Sequence, residues 1–212
     1  MMAALPQTMK AWVAARPGKP RDVLELKTDW PLPASPKAGE IMVKVSYVAL
    51  NPGDLKMMPM KMPFRRNTIP GMDFVGQVVQ VGPSSYTSPP LELGTTVAGT
   101  MSMKNIWLGV GVLAEYAVVP ARVVVKKPAD LDETVAAGLL GVVGQTSATL
   151  LQTAGLRAGT RALVNGASGG VGSILIQVLQ AKGVHVTGIC SARNAAFIKH
   201  LGADEVRLCT RK

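Results

Sequence analysis

Eight residues, Asn165-Gly166-Ala167-Ser168-Gly169-Gly170-Val171-Gly172, stand between a short apolar run, Arg161 to Asn165, and a longer one, Gly170 to Lys182. Glycine at this density permits a tight turn and leaves backbone N–H groups unobstructed by Cβ atoms. Where such a loop leads from a strand into a helix, those N–H groups and the helix dipole attract an anion, and a pyrophosphate fits the requirement. Ala167, Gly169 and Gly172 occupy the three positions of the G-x-G-x-x-G fingerprint, with Ala in place of the first Gly. A second apolar run, Val184 to Cys190, ends 19 residues past Gly172 at Ser191, the span of one βαβ unit. Dinucleotide binding by Gly166, Ala167, Ser168, Gly169, Gly170, Val171 and Gly172 is therefore expected, with an ordinary βα turn as the alternative.

The end of the second strand discriminates between cofactors. An NAD site places Asp or Glu there to accept from the ribose 2′-hydroxyl, whereas a 2′-phosphate is repelled by a carboxylate and paired by an arginine. This chain carries Ser191-Ala192-Arg193-Asn194. A hydroxyl and a forked guanidinium favour NADP(H), with Ser191, Arg193 and Asn194 as its contacts; the alternative is that Arg193 is a solvated residue of a first helical turn.

Around this motif the chain changes texture near Asp130. From Met9 to Lys127 short apolar segments are broken by Gly and Pro: Ile41, Val43, Val45 and Tyr47 alternate with Met42, Lys44, Ser46 and Val48, and Phe74 to Val81 and Ala114 to Val119 read similarly. Turn signals at Gly82-Pro83 and Pro89-Pro90 complete a β-rich, partly barrel-like unit. From 130 to 212 the order is a helix over Asp132 to Thr153, the strand Arg161 to Asn165, a helix, the strand Val184 to Cys190, a helix over Asn194 to Leu201 and a strand over Glu205 to Cys209. That alternation predicts a parallel α/β arrangement whose Val, Ile and Leu strands are buried on both faces.

Composition narrows the function. At 48% hydrophobic and 17% charged residues, 212 residues are too apolar for a disordered chain. The net charge of +10 raises the question of a polyanionic partner, but the 23 Lys and Arg are spread along the chain, densest at Arg65-Arg66 and Lys126-Lys127, without the basic stripe of a nucleic-acid surface. A solvated basic face is expected instead. Two cysteines, Cys190 and Cys209, exclude a disulfide framework and a four-thiolate zinc site and point to a reducing, cytoplasmic setting. No signal peptide is visible from Met1 to Trp12. Thr134 to Leu156 holds 23 uncharged residues, but its glycines and polar residues make it a buried helical connector rather than a membrane span, started by Asp130-Leu-Asp132-Glu133.

Several motifs together resemble the medium-chain dehydrogenase/reductase superfamily, on the zinc-independent side that includes quinone oxidoreductases and enoyl reductases, and especially its fungal members. The resemblance runs from Met9-Lys10-Ala11-Trp12 through Leu50-Asn51-Pro52-Gly53-Asp54-Leu55-Lys56, Ile69-Pro70-Gly71-Met72-Asp73-Phe74-Val75-Gly76, Gly111-Val112-Leu113-Ala114-Glu115-Tyr116 and the glycine loop to Gly202-Ala203-Asp204-Glu205-Val206. It implies a GroES-like β-rich substrate domain over 9–127, followed over 130–212 by the first half of a Rossmann domain, a partial doubly wound parallel sheet. It also implies an NADPH-dependent reductase of enones, quinones or enoyl-type substrates, in fungal secondary-metabolite (polyketide) biosynthesis. Zinc-dependent relatives use Cys where this chain has Asn51 and a His-Glu pair where it has Met72-Asp73, so no metal is expected. His185 and His200 are isolated and read as packing or surface residues.

Candidate catalytic residues each carry two readings. Asn51 is placed by the family near the nicotinamide, where its amide would hold a substrate carbonyl, or it caps a turn before Pro52. Asp54 and Lys56 complete a polar network there or form a surface ion pair. Tyr47 donates to a developing enolate or packs in the core. The family's second Rossmann half has no counterpart here, and Arg207-Leu208-Cys209-Thr210-Arg211-Lys212 replaces its usual continuation. A second class therefore stands beside the reductase: a truncated, catalytically impaired remnant or binding module with a partial nucleotide site, prone to self-association or completed by a partner chain.

Overall fold

The computed structural model describes residues 5–60, 67–83 and 91–209. Arg65-Arg66 and Pro89-Pro90 lie outside the described residues. The chain divides into two compact units, Met1–Val142 and Val143–Lys212.

In the first unit β1 (Thr8–Ala14) and β2 (Leu24–Pro31) pair antiparallel, linked by the short α1 (Pro20–Val23). Five further strands form an antiparallel sheet: β3 (Glu40–Ala49), β4 (Asp73–Val81), β5 (Thr96–Thr100), β6 (Tyr116–Pro120) and β7 (Val124–Lys126), in the order β6-β3-β4-β5-β7. Ile41, Val43, Phe74, Val78, Val97, Val112 and Val119 are its wholly buried core. The sheet carries α2 (Pro52–Met57), which follows β3, and α3 (Met103–Trp107), which follows β5.

Strict alternation fails in β3. Ile41, Met42 and Val43 are all buried while Tyr47 is 48% exposed, and the register shifts against β4 between Met42 and Val43 and again between Val45 and Tyr47. At the first shift the extra residue, Val79, lies on β4 and leaves the faces of β3 unchanged; at the second it is Ser46 of β3, so Val48 follows Val45 on the core face and Tyr47 leaves the core that the sequence periodicity assigns to it.

The expected helix over Asp132 to Thr153 is two helices, α4 (Glu133–Leu139) and α5 (Val142–Ala154), broken at Leu140-Gly141. Asp132 caps α4 by accepting from Thr134 N at 2.7 Å, and the Lys127 ammonium donates to the carbonyls of Pro128 and Leu131 at 2.6 Å each. Lys127 is thus a bonded group of this turn, not part of a freely solvated face. Ala136 and Ala137 of α4 bury against Val75 and Ala98. Along α5 only Ser147 is buried, so the connector is more exposed than expected. Among the described residues no single helix is long and apolar enough to cross a membrane.

The second unit holds β8 (Arg161–Asn165), α6 (Gly170–Ala181), β9 (His185–Cys190), α7 (Ala195–His200) and β10 (Glu205–Leu208), with a parallel sheet in the order β10-β9-β8. This is the 3-2-1 order of the first half of a doubly wound sheet. Val164, Ile176, Leu179, Val186 and Ile198 form its core. β9 is buried as expected for a central strand, but β8 is not: Leu163 is 64% exposed. Among the described residues nothing pairs with its outer edge, and an apolar groove of about 550 Å³ lined by Leu150, Leu151, Leu163 and Leu175 runs beside it.

Nor is His185 isolated. Its Nε2 lies 3.1 Å from Glu205 Oε1, which also accepts from Arg161 Nη2 at 2.8 Å, so β8, β9 and β10 are joined at one end by an ionic cluster. His185 and Arg161 hold the Glu205 carboxyl below its ordinary range, and the Val186 amide holds Asp204 below its own. A carboxylate depressed in the folded state contributes stability above its unfolded value and loses it as pH falls through the folded one. Thermal melts followed by circular dichroism should therefore show the midpoint falling on acidification below about pH 5, with Glu205→Gln flattening that dependence; equal slopes in both proteins would show the cluster contributes nothing.

Candidate functional site

Each unit carries its own set of candidate residues. In the second unit the glycine loop runs from the end of β8 into α6, as expected. Gly166 takes φ +71°, a left-handed turn. That explains how Ala167 is tolerated at the first fingerprint position: the strained residue is its neighbour, and Ala167 is wholly buried, its N donating to Ile189 O of β9 at 3.0 Å. Gly172 answers a different need. A Cβ there would lie 2.4 Å from Gly166 O and 2.8 Å from Ala167 Cα, so only glycine lets the first turn of α6 seat on the loop. A Cβ built on Gly166 meets nothing within 4 Å, and Gly169 and Gly170 are exposed. The loop thus leaves an open concavity at the N-terminus of a 12-residue helix, which fits a pyrophosphate.

After β9, Ser191, Ala192 and Arg193 are exposed on a 3₁₀ turn closed by Asn194 N to Ser191 O at 2.9 Å. Among the described residues no carboxylate pairs with Arg193. Asn194 is turned inward, and its Nδ2 donates to Ser168 Oγ at 2.9 Å. Ser168, Ser191, Arg193 and Asn194 are therefore gathered at the carboxyl ends of two adjacent parallel strands.

In the first unit Asn51 caps α2. Its backbone N donates to Asp54 Oδ2 at 2.7 Å, and its side-chain Nδ2 donates to Asp73 Oδ2 at 2.8 Å and more weakly to Ala49 O at 3.4 Å. The capping role is thus present, and one of the two amide hydrogens is held only loosely. Asp54 is buried rather than in a surface pair, while Lys56 is exposed. Tyr47 faces solvent on β3.

Sequence reasoning treated Asp73 only as a replaced metal position, yet this fully buried carboxyl organises the cluster. Its Oδ2 accepts from Asn51 and from Val142 N at 2.9 Å, at the first residue of α5. Its Oδ1 is sealed from solvent with no hydrogen-bond partner of good geometry among the described residues. Gly141 permits the approach, since a Cβ would stand 2.3 Å from Asp73 Cγ. Burial pushes the carboxyls of both Asp54 and Asp73 up, and Asp73 raises Asp54 further by proximity. A charged residue opening a strand with no other charge was the one signal of this in the sequence.

The sign of the stability effect is opposite to that of Glu205. A carboxyl raised in the folded state stabilises while protonated and loses that contribution as pH rises through the folded value. Asp73→Asn, which keeps the acceptor and removes the charge, should melt at or above the parent at neutral pH and lose the parent's decline as pH rises above about 4. Asp73→Ala, leaving two inward donors unpaired, should cost about 2–4 kcal/mol in denaturant unfolding. If Asn and Ala destabilise equally, the carboxyl is not acting as the shared acceptor.

With both sites in place, comparison with known proteins gives a consistent answer. Residues 37–129 match the family described as the alcohol dehydrogenase GroES-like domain. The chain is 38% identical over 190 residues to a chloroplast envelope quinone oxidoreductase homolog of Arabidopsis thaliana, covering 83% of this chain and 54% of that protein. It is 34% identical over 221 residues to the trans-enoyl reductase pgmF of Aspergillus terreus, covering 97% and 60%. Among solved structures it matches a quinone oxidoreductase of Coxiella burnetii with TM-score 0.81 at 30% identity, covering 94% of this chain and 62% of that one. It matches mycobacterial Rv1454c complexed with NADPH with TM-score 0.80 at 28% identity, covering 96% and 60%. The chain thus spans little more than half the length of these relatives. A GroES-like β domain followed by the opening βαβα units of a Rossmann sheet is the order these proteins share, and the chain belongs to the medium-chain dehydrogenase/reductase superfamily.

Proposed function

We propose that this chain is the substrate domain and the adenosine-binding half of an NADPH-dependent oxidoreductase that reduces an enone, quinone or enoyl-type substrate. The observation that carries the reading is the turn after β9: Ser191 and Arg193 are exposed beside the glycine loop, and no acidic residue occupies the position of a ribose 2′-hydroxyl acceptor. NADPH, when bound, supplies the hydride. The chain's own residues bind and orient. The loop from Gly166 to Gly172 takes the pyrophosphate on backbone N–H groups, and Arg193 with Ser191 takes the 2′-phosphate. In the first unit the loosely held amide hydrogen of Asn51 is the donor for a substrate carbonyl, with Asp73 fixing the side-chain amide and Asp54 the backbone N–H of the same residue. Tyr47, being exposed, is free to donate a proton, and Lys56 is a polar neighbour in sequence.

The names of relatives support this substrate class: quinone oxidoreductases, trans-enoyl reductases from Aspergillus and Penicillium, and a medium chain reductase, pydE, from Acremonium. Supply of reduced intermediates to fungal polyketide assembly follows as the biological setting. The donor set at the position of a catalytic metal, Asn51, Met72 and Asp73, is poor for zinc, so the reduction proceeds without it. A second reading, a nucleotide-binding module without turnover, is favoured by the outer edge of β8, which pairs with no strand among the described residues. NADPH oxidation with a simple quinone separates the two, because a binding module retains affinity and shows no rate.

Calorimetric titration should give tighter binding of NADPH than of NADH. Arg193→Ala should remove about 1–3 kcal/mol of that preference; an unchanged ratio would leave Arg193 a surface residue.

A further inference from the structure

The glycine loop and the β9 turn are joined at two depths. At the base, Ala167 N donates to Ile189 O at 3.0 Å. Nearer the surface, Asn194 Nδ2 donates to Ser168 Oγ at 2.9 Å, and both residues are half-buried. Three exposed residues, Ser191, Ala192 and Arg193, sit between the end of β9 and this second tie. Among the described residues nothing pairs with the Arg193 guanidinium, so its placement depends on the turn that carries it. The turn is held by Asn194 N to Ser191 O and by the Asn194 side chain.

We propose that the Ser168–Asn194 pair is a latch that sets the spacing between the two anion-binding segments, making Asn194 a positioning residue for recognition of a 2′-phosphate rather than a ligand contact. This rests on the NADPH reading. A ribose holds its 2′- and 5′-phosphates a fixed distance apart. A ligand carrying both engages both segments only when their separation is already set, and otherwise must order the turn as it binds. A ligand carrying the 5′-phosphate alone meets the loop, which Gly166 and Gly172 shape without help from the turn. The chemistry of the pair fits: the Ser168 hydroxyl accepts from Asn194 and keeps its own hydrogen free to donate outward.

The test uses the whole chain with 2′,5′-ADP and 5′-AMP as probes, titrated by calorimetry against the parent, Arg193→Ala, Asn194→Ala, Ser168→Ala and the double variant Ser168→Ala/Asn194→Ala. Asn194→Ala should weaken 2′,5′-ADP about five- to tenfold, the loss of one half-buried hydrogen bond, and change 5′-AMP less than about twofold. In the Ser168→Ala background the Asn194 change should add no further loss of selectivity, because the latch is already open. Circular dichroism spectra and melting midpoints close to the parent's show that each variant is folded. A parent with no preference for 2′,5′-ADP, or one indifferent to Arg193→Ala, overturns the cofactor reading and the latch with it. A parent whose preference depends on Arg193 but survives Asn194→Ala overturns the latch alone, as do additive losses in the double variant, which would make both residues independent ligand contacts.

Discussion

The first turn of α6 rests against the carbonyl of Gly166 at a distance that excludes any side chain at position 172. Much of the second unit depends on that contact. It brings the helix N-terminus down onto the end of β8, so that its free N–H groups face the outside of the sheet. It also leaves the turn strain to Gly166 and frees Ala167 to pack against β9. The loop's shape is therefore fixed by backbone contacts that exist before any ligand arrives, and the turn after β9 is set against it by the backbone bond from Ala167 N to Ile189 O and by the Ser168 and Asn194 side chains.

In the first unit the equivalent ordering element is electrostatic. Asp73 accepts hydrogen bonds from the residue that caps α2 and from the residue that begins α5, and Gly141 is the gap through which the second reaches it. A buried carboxyl with one unmatched oxygen is a poor stabiliser. Its value lies in orientation: it fixes which way the Asn51 amide faces and leaves one amide hydrogen weakly engaged. A carboxamide alone on a strand end would rotate between cap and solvent.

The second unit was largely legible in the sequence. β8, α6, β9, α7 and β10 fall within a residue or two of the runs read from apolar patterning, because glycine and the change of period mark each boundary and neighbouring elements are close in the chain. What failed there depended on lateral neighbours: the exposure of Leu163 reflects what lies beside β8, and the His185 cluster forms across three strands. In the first unit the strands were visible but their faces were not. The extra residue at Ser46 in β3 carried Tyr47 out of the core, and periodicity carries no record of such a shift. The break at Gly141 and the role of Asp73 arise from residues 69 positions apart meeting at one hydrogen bond, which no local pattern encodes.

The central claim is that the glycine loop and the turn after β9 form one preformed surface for the adenosine end of NADPH. The most direct measurement is a titration of NADPH into isotopically labelled chain, following backbone amide resonances. The account predicts that the largest shifts fall together on Gly166–Gly172 and Ser191–Asn194 with a common dissociation constant, while the amides of β1 and β2 stay in place. Shifts confined to the loop, different constants for the two segments, or no response at either would contradict it.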